Sequence, residues 1–202
     1  MMTLFNDTAL FSSGELRIQN FVIPDAELKL YEHFFPKEIA DDYYNKLLSE
    51  TPWKQEPITI YDKTHPTPRL TSWYGLRKGN QSPNELTATL TAIKQKVEQE
   101  CGIKFQSVLL NLYRDGQDHV SWHRDHDREY IKNPTIASVT FGETRVFQVR
   151  HKFNRDLGRI DIPLNHGSLL IMGGSMQDYW EHQVPKTTKV LAPRINLTFR
   201  VV

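Results

Sequence analysis

The chain has 202 residues, with 25 Lys and Arg against 24 Asp and Glu, so its formal net charge is +1. This length suits one domain with a substantial core, and the balanced charge excludes a polybasic or acidic tail, although a local basic patch can still bind nucleic acid. A disulfide framework is excluded because Cys101 is the single cysteine, and a reducing compartment such as the cytoplasm is expected. No window is apolar over a membrane-spanning length, and the first residues lack the basic start of a signal peptide.

The N-terminal part of the chain predicts two short strands and a helix. Residues 1–14 show no periodic pattern and are expected to be flexible. Residues 16–23 and 28–31 are predicted to form strands. A helix is predicted over residues 36–51, because Pro36 suits a first helical turn and apolar residues then recur at helical spacing.

Residues 53–82 are irregular and rich in aromatic side chains. A strand is predicted around residues 58–60, whereas the prolines in the stretch THPTPRLTSWYG indicate a loop. The rings either pack on the core or form a flap over a flat substrate such as a nucleobase. They belong to Trp53, Tyr61, Trp73 and Tyr74. The second alternative would make residues 53–82 a substrate lid.

A second helix is predicted over residues 82–99. Ser82 and Glu85 have the spacing of a capping box, and Pro83 suits the first helical position. Gly102 follows as the stop signal.

The pattern changes to short strands from Phe105 onward. The predicted strands are residues 105–113, 135–141, 144–151, 159–162, 168–172, 179–184 and 194–201. Strands that follow one another without intervening helices are typical of a sandwich or jelly roll. The predicted fold class is therefore α+β: a single domain over residues 1–202, built as a double-stranded β-helix (jelly roll) with N-terminal buttressing helices.

Two residue types that bind metals lie two positions apart after the first of these strands. His123 and Asp125 lie on the same side of extended chain and can therefore share one ion. A third ligand must come from a distant part of the chain, and His182 in the strand over residues 179–184 fits. Two histidines and a carboxylate that leave coordination positions open form the facial triad of non-haem Fe(II) oxygenases.

The last predicted strand alternates strictly between apolar and polar residues. The apolar face carries Ile195, Leu197, Phe199 and Val201, and the polar face carries Arg194, Asn196, Thr198 and Arg200. This polar face either meets water or lines the interior of a barrel. In an interior the arginines would need anionic partners, because an unpaired buried charge is costly. A guanidinium binds a carboxylate in two-point geometry, so a small dicarboxylate would fit.

An ordered set of motifs runs through the second half of the chain. It consists of Asn111-x-Tyr113 with Asp115-Gly116, His123-x-Asp125, SVTFGETRVF at residues 138–147, GSLL at residues 167–170, Trp180-x-His182 and PRINLTFR at residues 193–200. In this set and order the sequence resembles the AlkB family of 2-oxoglutarate/Fe(II)-dependent dioxygenases, in particular the branch that repairs alkylated nucleic acid. The resemblance is dense over residues 105–201 and looser before them.

The resemblance implies a role for each matching residue. The catalytic residues that would bind Fe(II) are His123, Asp125 and His182, and those that would bind 2-oxoglutarate are Asn111, Tyr113, Arg194, Asn196 and Arg200. Those that would contact the substrate base are Trp73, Tyr74, Asp127 and Arg145. Many members of the repair branch have a glutamate where Asp127 stands, so this side chain is shorter here. Candidates for phosphate contacts, with ordinary solvated charge as the alternative, are Arg69, Arg77, Lys78, Arg124 and Arg128.

The implied reaction is oxidative demethylation of bases such as 1-methyladenine and 3-methylcytosine. It would use Fe(II), 2-oxoglutarate and O₂ and release succinate, CO₂ and formaldehyde. The implied partner is alkylated DNA or RNA, with no membrane, and we expect a monomer in the cytoplasm, or in the nucleus of a eukaryote. Two alternatives stay open: a 2-oxoglutarate oxygenase acting on protein or lipid, and a jelly-roll binding module without activity.

Overall fold

The structure is a computed structural model, and it describes residues 16–60, 63–77, 80–82, 84–125 and 132–201. The predictions made for residues 1–14, Tyr61, Lys78, Pro83, Asp127 and Arg128 lie outside the described residues. In chain order the elements are β1 (Arg17–Phe21), β2 (Glu27–Glu32), α1 (Lys37–Glu50), β3 (Pro57–Ile60), β4 (Lys63–Pro66), β5 (Leu70–Arg77), β6 (Asn80–Gln81), α2 (Ala88–Cys101), β7 (Ser107–Tyr113), β8 (Val120–His123), β9 (Ile136–Gly142), β10 (Arg145–His151), a 3₁₀ turn (Arg155–Leu157), β11 (Arg159–Leu164), β12 (Ser168–Gly173), α3 (Met176–Tyr179), β13 (Trp180–Val184) and β14 (Arg194–Arg200). No helix of the described part is long and apolar enough to cross a membrane.

Two antiparallel sheets form the jelly roll. The large sheet has the order β1-β2-β12-β9-β14-β7-β5-β6, and the small sheet has the order β11-β10-β13-β8. One apolar cluster joins the facing sides of the two sheets, including Leu170 and Met172 from the large sheet and Phe147 and Val149 from the small one. A functional site between the sheets is therefore enclosed on two sides by rigid strands.

Alternation along the strands of the large sheet separates a helix side from an interior side. Leu110 and Leu197 belong to the apolar cluster that also contains Leu47 of α1 and Ile93 of α2. The neighbouring polar residues point to the other side, because successive side chains of a strand face opposite ways. Every residue of β14 is buried. Its polar face therefore lines the interior and does not meet water.

Two local predictions are wrong. Residues 64–75 were predicted to be a loop, but two strands overlap them: β4 ends at Pro66, and β5 begins at Leu70 and pairs with β7 in antiparallel register from Leu70↔Leu112 to Gly75↔Ser107. The prolines do not prevent this pairing, because Pro66 ends β4 and Pro68 lies before β5. The strand β8 was not predicted at all, since its four residues are too short for a periodic signal.

The second error concerns the start of α2. The helix begins at Ala88, and its N-cap is Thr87, whose side chain accepts a hydrogen bond from the Leu90 N–H. Ser82 donates its hydroxyl to the Trp73 carbonyl at 2.6 Å instead, so it ties the segment after β6 to β5. The seven strands predicted after Phe105 all have counterparts, β7 and β9 to β14.

Candidate active site

Three side chains, from the end of β8, the residues that follow it and β13, meet between the two sheets. His123 ends β8 and lies opposite His182 of β13 in the strand register, with the ring centroids 4.3 Å apart. Asp125 follows two residues later, and its Oδ2 lies 3.8 Å from Nε2 of His182. One potential ligand atom of each residue lies within 4.8 Å of the others, so the three can hold one metal ion.

Both imidazoles are prepared to bind a cation through Nε2. Nδ1 of His123 lies 2.9 Å from the Ser121 carbonyl, which can only accept, so Nδ1 carries the proton and the Nε2 lone pair is available. Burial, reinforced by the nearby His123, lowers the pKa of His182 to about 3, so this ring is neutral at physiological pH. Phe147 stacks on His182 with centroids 5.1 Å apart and fixes the plane of the ring. Two imidazoles and one carboxylate are a donor set that suits Fe(II).

Asp125 is held in place by contacts from two distant segments. Nη2 of Arg200 donates to Oδ1 of the carboxylate at 2.6 Å. The backbone N–H of Asp125 donates to Oε1 of Gln177 at 2.9 Å. The carboxylate is buried, so Arg200 supplies the positive charge that such a group needs.

Arg194 is the second charged residue of the interior. Its side chain is 1% exposed, and Nη2 donates to Oγ1 of Thr140 at 2.9 Å. The Nε and Nη1 groups have no hydrogen-bond partner among the described residues. The guanidinium lies 5.1 Å from the ring centroid of Tyr113. Burial lowers its pKa to about 10, which still leaves it charged at neutral pH. A buried cation with two donor groups that lack a partner in the described part of the chain is arranged to receive an anion.

The remaining polar side chains predicted for the cosubstrate lie around Arg194. Asn196 is buried and donates to Oγ of Ser138 at 2.8 Å. Asn111 is buried on β7, and its Oδ1 accepts a hydrogen bond from Nε of Arg69 at 2.8 Å. The sequence had indicated Arg69 only as a phosphate contact. Its place at the interior depends on a partner 42 residues away, for which the sequence carries no local signal.

Two neighbouring cavities share the lining residues Arg69 and Leu109. The first, of about 80 Å³, contains the three clustered residues and the interior arginines. The second, of about 220 Å³, lies beside it and is lined by Glu56, Thr67, Arg69, Thr71, Trp73 and Leu109. The metal-binding cluster therefore lies beside a larger space that is lined mainly by residues of the segment over residues 53–82.

The residues predicted to contact a base lie in different surroundings. Trp73 lines the second cavity, and its indole N–H donates to the Leu76 carbonyl at 2.9 Å. Tyr74 faces the opposite side of β5 and is buried in the helix-side cluster. Arg145 is buried and donates to the carbonyls of three residues, Asp115, Asp118 and Pro185. The structure thus places Trp73 at the cavity, whereas Tyr74 and Arg145 serve packing and loop attachment, and Asp127 lies outside the described residues.

Comparisons with known proteins indicate the same family as the sequence motifs. Residues 27–200 match the family model described as the 2OG-Fe(II) oxygenase superfamily. The chain is 40% identical over 186 residues to alpha-ketoglutarate-dependent dioxygenase alkB homolog 3 of Mus musculus, which covers 86% of this chain and 65% of that protein. It is 36% identical over 188 residues to DNA oxidative demethylase ALKBH2 of Homo sapiens. That alignment covers 85% of this chain and 72% of the relative. The chain thus spans slightly less than two thirds of the alkB homolog 3 relative.

A solved structure also shares the fold. The structure titled "The structure of OsALKBH1" superposes with a TM-score of 0.67 over 92% of this chain and 100% of that chain. The sequence identity is 16%, so this likeness concerns the fold alone.

Proposed function

Because the chain belongs to the AlkB family of the 2OG-Fe(II) oxygenase superfamily, we propose that it is a dioxygenase that demethylates N-alkylated bases in DNA or RNA. The proposed lesions are 1-methyladenine and 3-methylcytosine, and the proposed products include succinate, CO₂ and formaldehyde. One observation carries the proposal: the His-Asp-His cluster shares its cavity with a buried arginine, two of whose nitrogen groups have no hydrogen-bond partner among the described residues. That combination suits a metal and a carboxylate ligand bound side by side.

In this proposal His123, Asp125 and His182 hold Fe(II). The bound iron supplies the oxidising power in the reaction of O₂ with 2-oxoglutarate. The protein contributes a fixed set of ligands. The Ser121 carbonyl sets the tautomer of His123, Phe147 sets the plane of His182, and Arg200 orients the Asp125 carboxylate.

The proposed site for 2-oxoglutarate lies along β14 and β7. Arg194 binds the carboxylate far from the metal, because its Nε and Nη1 groups, which lack a partner in the described part of the chain, offer the geometry for two hydrogen bonds. Tyr113 and Asn196 complete this end of the pocket. Asn111 and Arg200 lie in the same cavity and assist the end of the cosubstrate that reaches the metal.

The second cavity is the proposed place of the damaged base. A base inside a duplex cannot reach a metal between two sheets, so it must be unstacked or single-stranded. Trp73 offers an aromatic wall, and the hydrogen bond of its indole to Leu76 limits rotation of the ring. Stacking on such a ring contributes about 1–3 kcal/mol per base.

The same proposal covers the domain organisation, the oligomeric state and the cellular location of the protein. Residues 1–202 form a single domain that acts as a monomer, and α1 and α2 buttress the large sheet. The segment over residues 53–82 acts as the lid above the base. The protein works in the cytoplasm, or in the nucleus of a eukaryote.

The test is product analysis on methylated oligonucleotides. The purified protein is loaded with Fe(II) under reducing conditions and given 2-oxoglutarate with single- or double-stranded DNA or RNA that contains one lesion. We expect formaldehyde and the repaired base in equal amounts, with at least as much succinate. His123→Ala should abolish all three. Trp73→Ala should lose repair and keep slow succinate release without nucleic acid.

The two alternatives predict different results. Succinate release that no methylated oligonucleotide stimulates would favour an oxygenase acting on protein or lipid. The absence of any succinate from correctly loaded protein would reject the enzyme and favour a binding module.

A further inference from the structure

Asp125 lies two residues after the end of β8, outside the hydrogen-bonded pairing of that strand with β13. The strand β8 ends at His123, which is paired with His182, so the backbone N–H of Asp125 lies beyond the last pair. The acceptor that it uses is Oε1 of Gln177, 2.9 Å away and 52 residues later in the chain. A backbone N–H can only donate, so the amide atom facing it must be oxygen.

Gln177 makes a second contact to the same segment. Nη1 of Arg124 lies 3.4 Å from the backbone carbonyl of Gln177. The side chain of Gln177 is 2% exposed, and its Nε2 group finds no hydrogen-bond partner within the described ranges. Burying an amide group without a partner costs free energy. The hydrogen bond to the Asp125 N–H is the contact that offsets part of this cost.

Gln177 lies close in the chain to His182, the second histidine of the cluster. The residue lies in α3, a four-residue helix that leads directly into β13, the strand of His182. One end of the contact is thus attached to the segment of Asp125, and the other end to the element that presents His182. The bond therefore links the two elements that present two of the three clustered side chains.

We propose that Gln177 is a positioning residue of the metal site. Its side chain accepts the hydrogen bond that the Asp125 N–H would otherwise make to a neighbouring strand. It thereby sets the direction of the Asp125 carboxylate relative to His182. The inference rests on the proposed metal site and adds a residue that does not touch the metal. Loss of such an outer partner typically weakens metal binding by about 10–100-fold.

The test is a titration of the metal-free protein with Co(II) alone, followed by its visible absorption. Gln177→Met keeps the length of the side chain and removes the acceptor. Met176→Leu alters a fully buried neighbour in the same helix and serves as the packing control. We expect Gln177→Met to raise the Kd for Co(II) by about 10–100-fold and to shift the absorption bands, while Met176→Leu stays within about threefold.

The outcomes separate the inference from the proposed function. Wild-type protein that binds no Co(II) would overturn the metal site itself. Wild-type binding together with unchanged Kd and bands in Gln177→Met would overturn the role of Gln177 alone. A loss of thermal stability in the metal-free variant without a change in Kd well below Tm would show a purely structural role and would also overturn it. If Gln177→Met does not fold, Gln177→Asn retains the amide but is one methylene too short, and wild-type affinity in that variant would likewise refute the proposal.

Discussion

Replacing Arg194 by Met tests whether the interior is built for a dicarboxylate. The guanidinium donates to Thr140, and its Nε and Nη1 groups have no partner in the part of the chain that the structure describes. A buried charge in this condition is costly until an anion arrives. Met occupies similar space without charge, so we expect the metal-free variant to be at least as stable as the wild type and to bind 2-oxoglutarate far more weakly.

The size of the effect follows from the burial of Arg194. Removing one partner of a buried, hydrogen-bonded charge pair costs about 2–5 kcal/mol, which raises the Kd by roughly 30-fold to several thousand-fold. Ligand at about 100 times the Kd stabilises the wild type by about 2.7 kcal/mol, or roughly 5–11 °C in Tm for a chain of this size. If affinity falls about 100-fold, the same concentration stabilises the variant by only about 0.4 kcal/mol.

Calorimetric titration with 2-oxoglutarate on Mn(II)-loaded protein measures the Kd, and thermal unfolding with and without ligand measures the increment in Tm. Arg145→Met is the matched control, because Arg145 is also buried and also lies near the Tyr113 ring, at 5.6 Å. Arg145 is bonded to three backbone carbonyls, and leaving buried acceptors unsatisfied costs about 1–3 kcal/mol each. The control should therefore lower the Tm of the metal-free protein and preserve the ligand-induced increment.

The reasoning would be refuted by either of two results. Arg194→Met could bind 2-oxoglutarate within about threefold of the wild type, which would mean that this guanidinium does not hold a carboxylate. It could instead unfold as easily as Arg145→Met in the metal-free state, which would mean that Arg194 has partners that stabilise the fold.

Three further predictions concern stability, and each is read from urea or thermal unfolding of metal-free protein. The pKa of His182 is lowered from 6.5 to about 3, so between these values the unfolded chain binds a proton that the folded chain does not. The free energy of unfolding should therefore fall as the pH drops from 6.5 toward 3, and His182→Gln should show a shallower fall; equal slopes would contradict this. Thr87→Ala should lower the free energy of unfolding by about 1 kcal/mol because it removes the cap of α2; an unchanged value would mean that the cap is elsewhere. Gly75→Ala should destabilise more than Gly102→Ala. Both glycines have positive φ, but a Cβ at Gly75 would lie 2.1 Å from the Gln106 carbonyl oxygen, whereas at Gly102 it would meet no described atom within 4 Å; equal losses of Tm would refute the clash.

The sequence by itself determined the features that depend on local backbone periodicity. Arg194 and Asn196 had to share one face of a strand and Ile195 the other, whichever sheet the strand joined. The spacing of His123 and Asp125 likewise placed two metal-binding groups on one side of extended chain. The positions of β7 and of β9 to β14 were predictable for the same reason, whereas the four-residue β8 was not. The motifs were also specific enough to identify the family, which the comparisons confirm.

Only the tertiary structure decided how those faces and charges were used. The polar face of β14 became an interior because the small sheet covers it, and residues 70–77 became a strand because β7 had an edge to pair with. Ser82 and Thr87 are both able to cap a helix, and the choice fell to Thr87 while Ser82 bonds the Trp73 carbonyl. Arg145 donates hydrogen bonds to three backbone carbonyls that lie 27 to 40 residues away in the chain. Partners at such separations are set by packing, because strand pairing and buried charge depend on what lies opposite in space and not on neighbours in sequence.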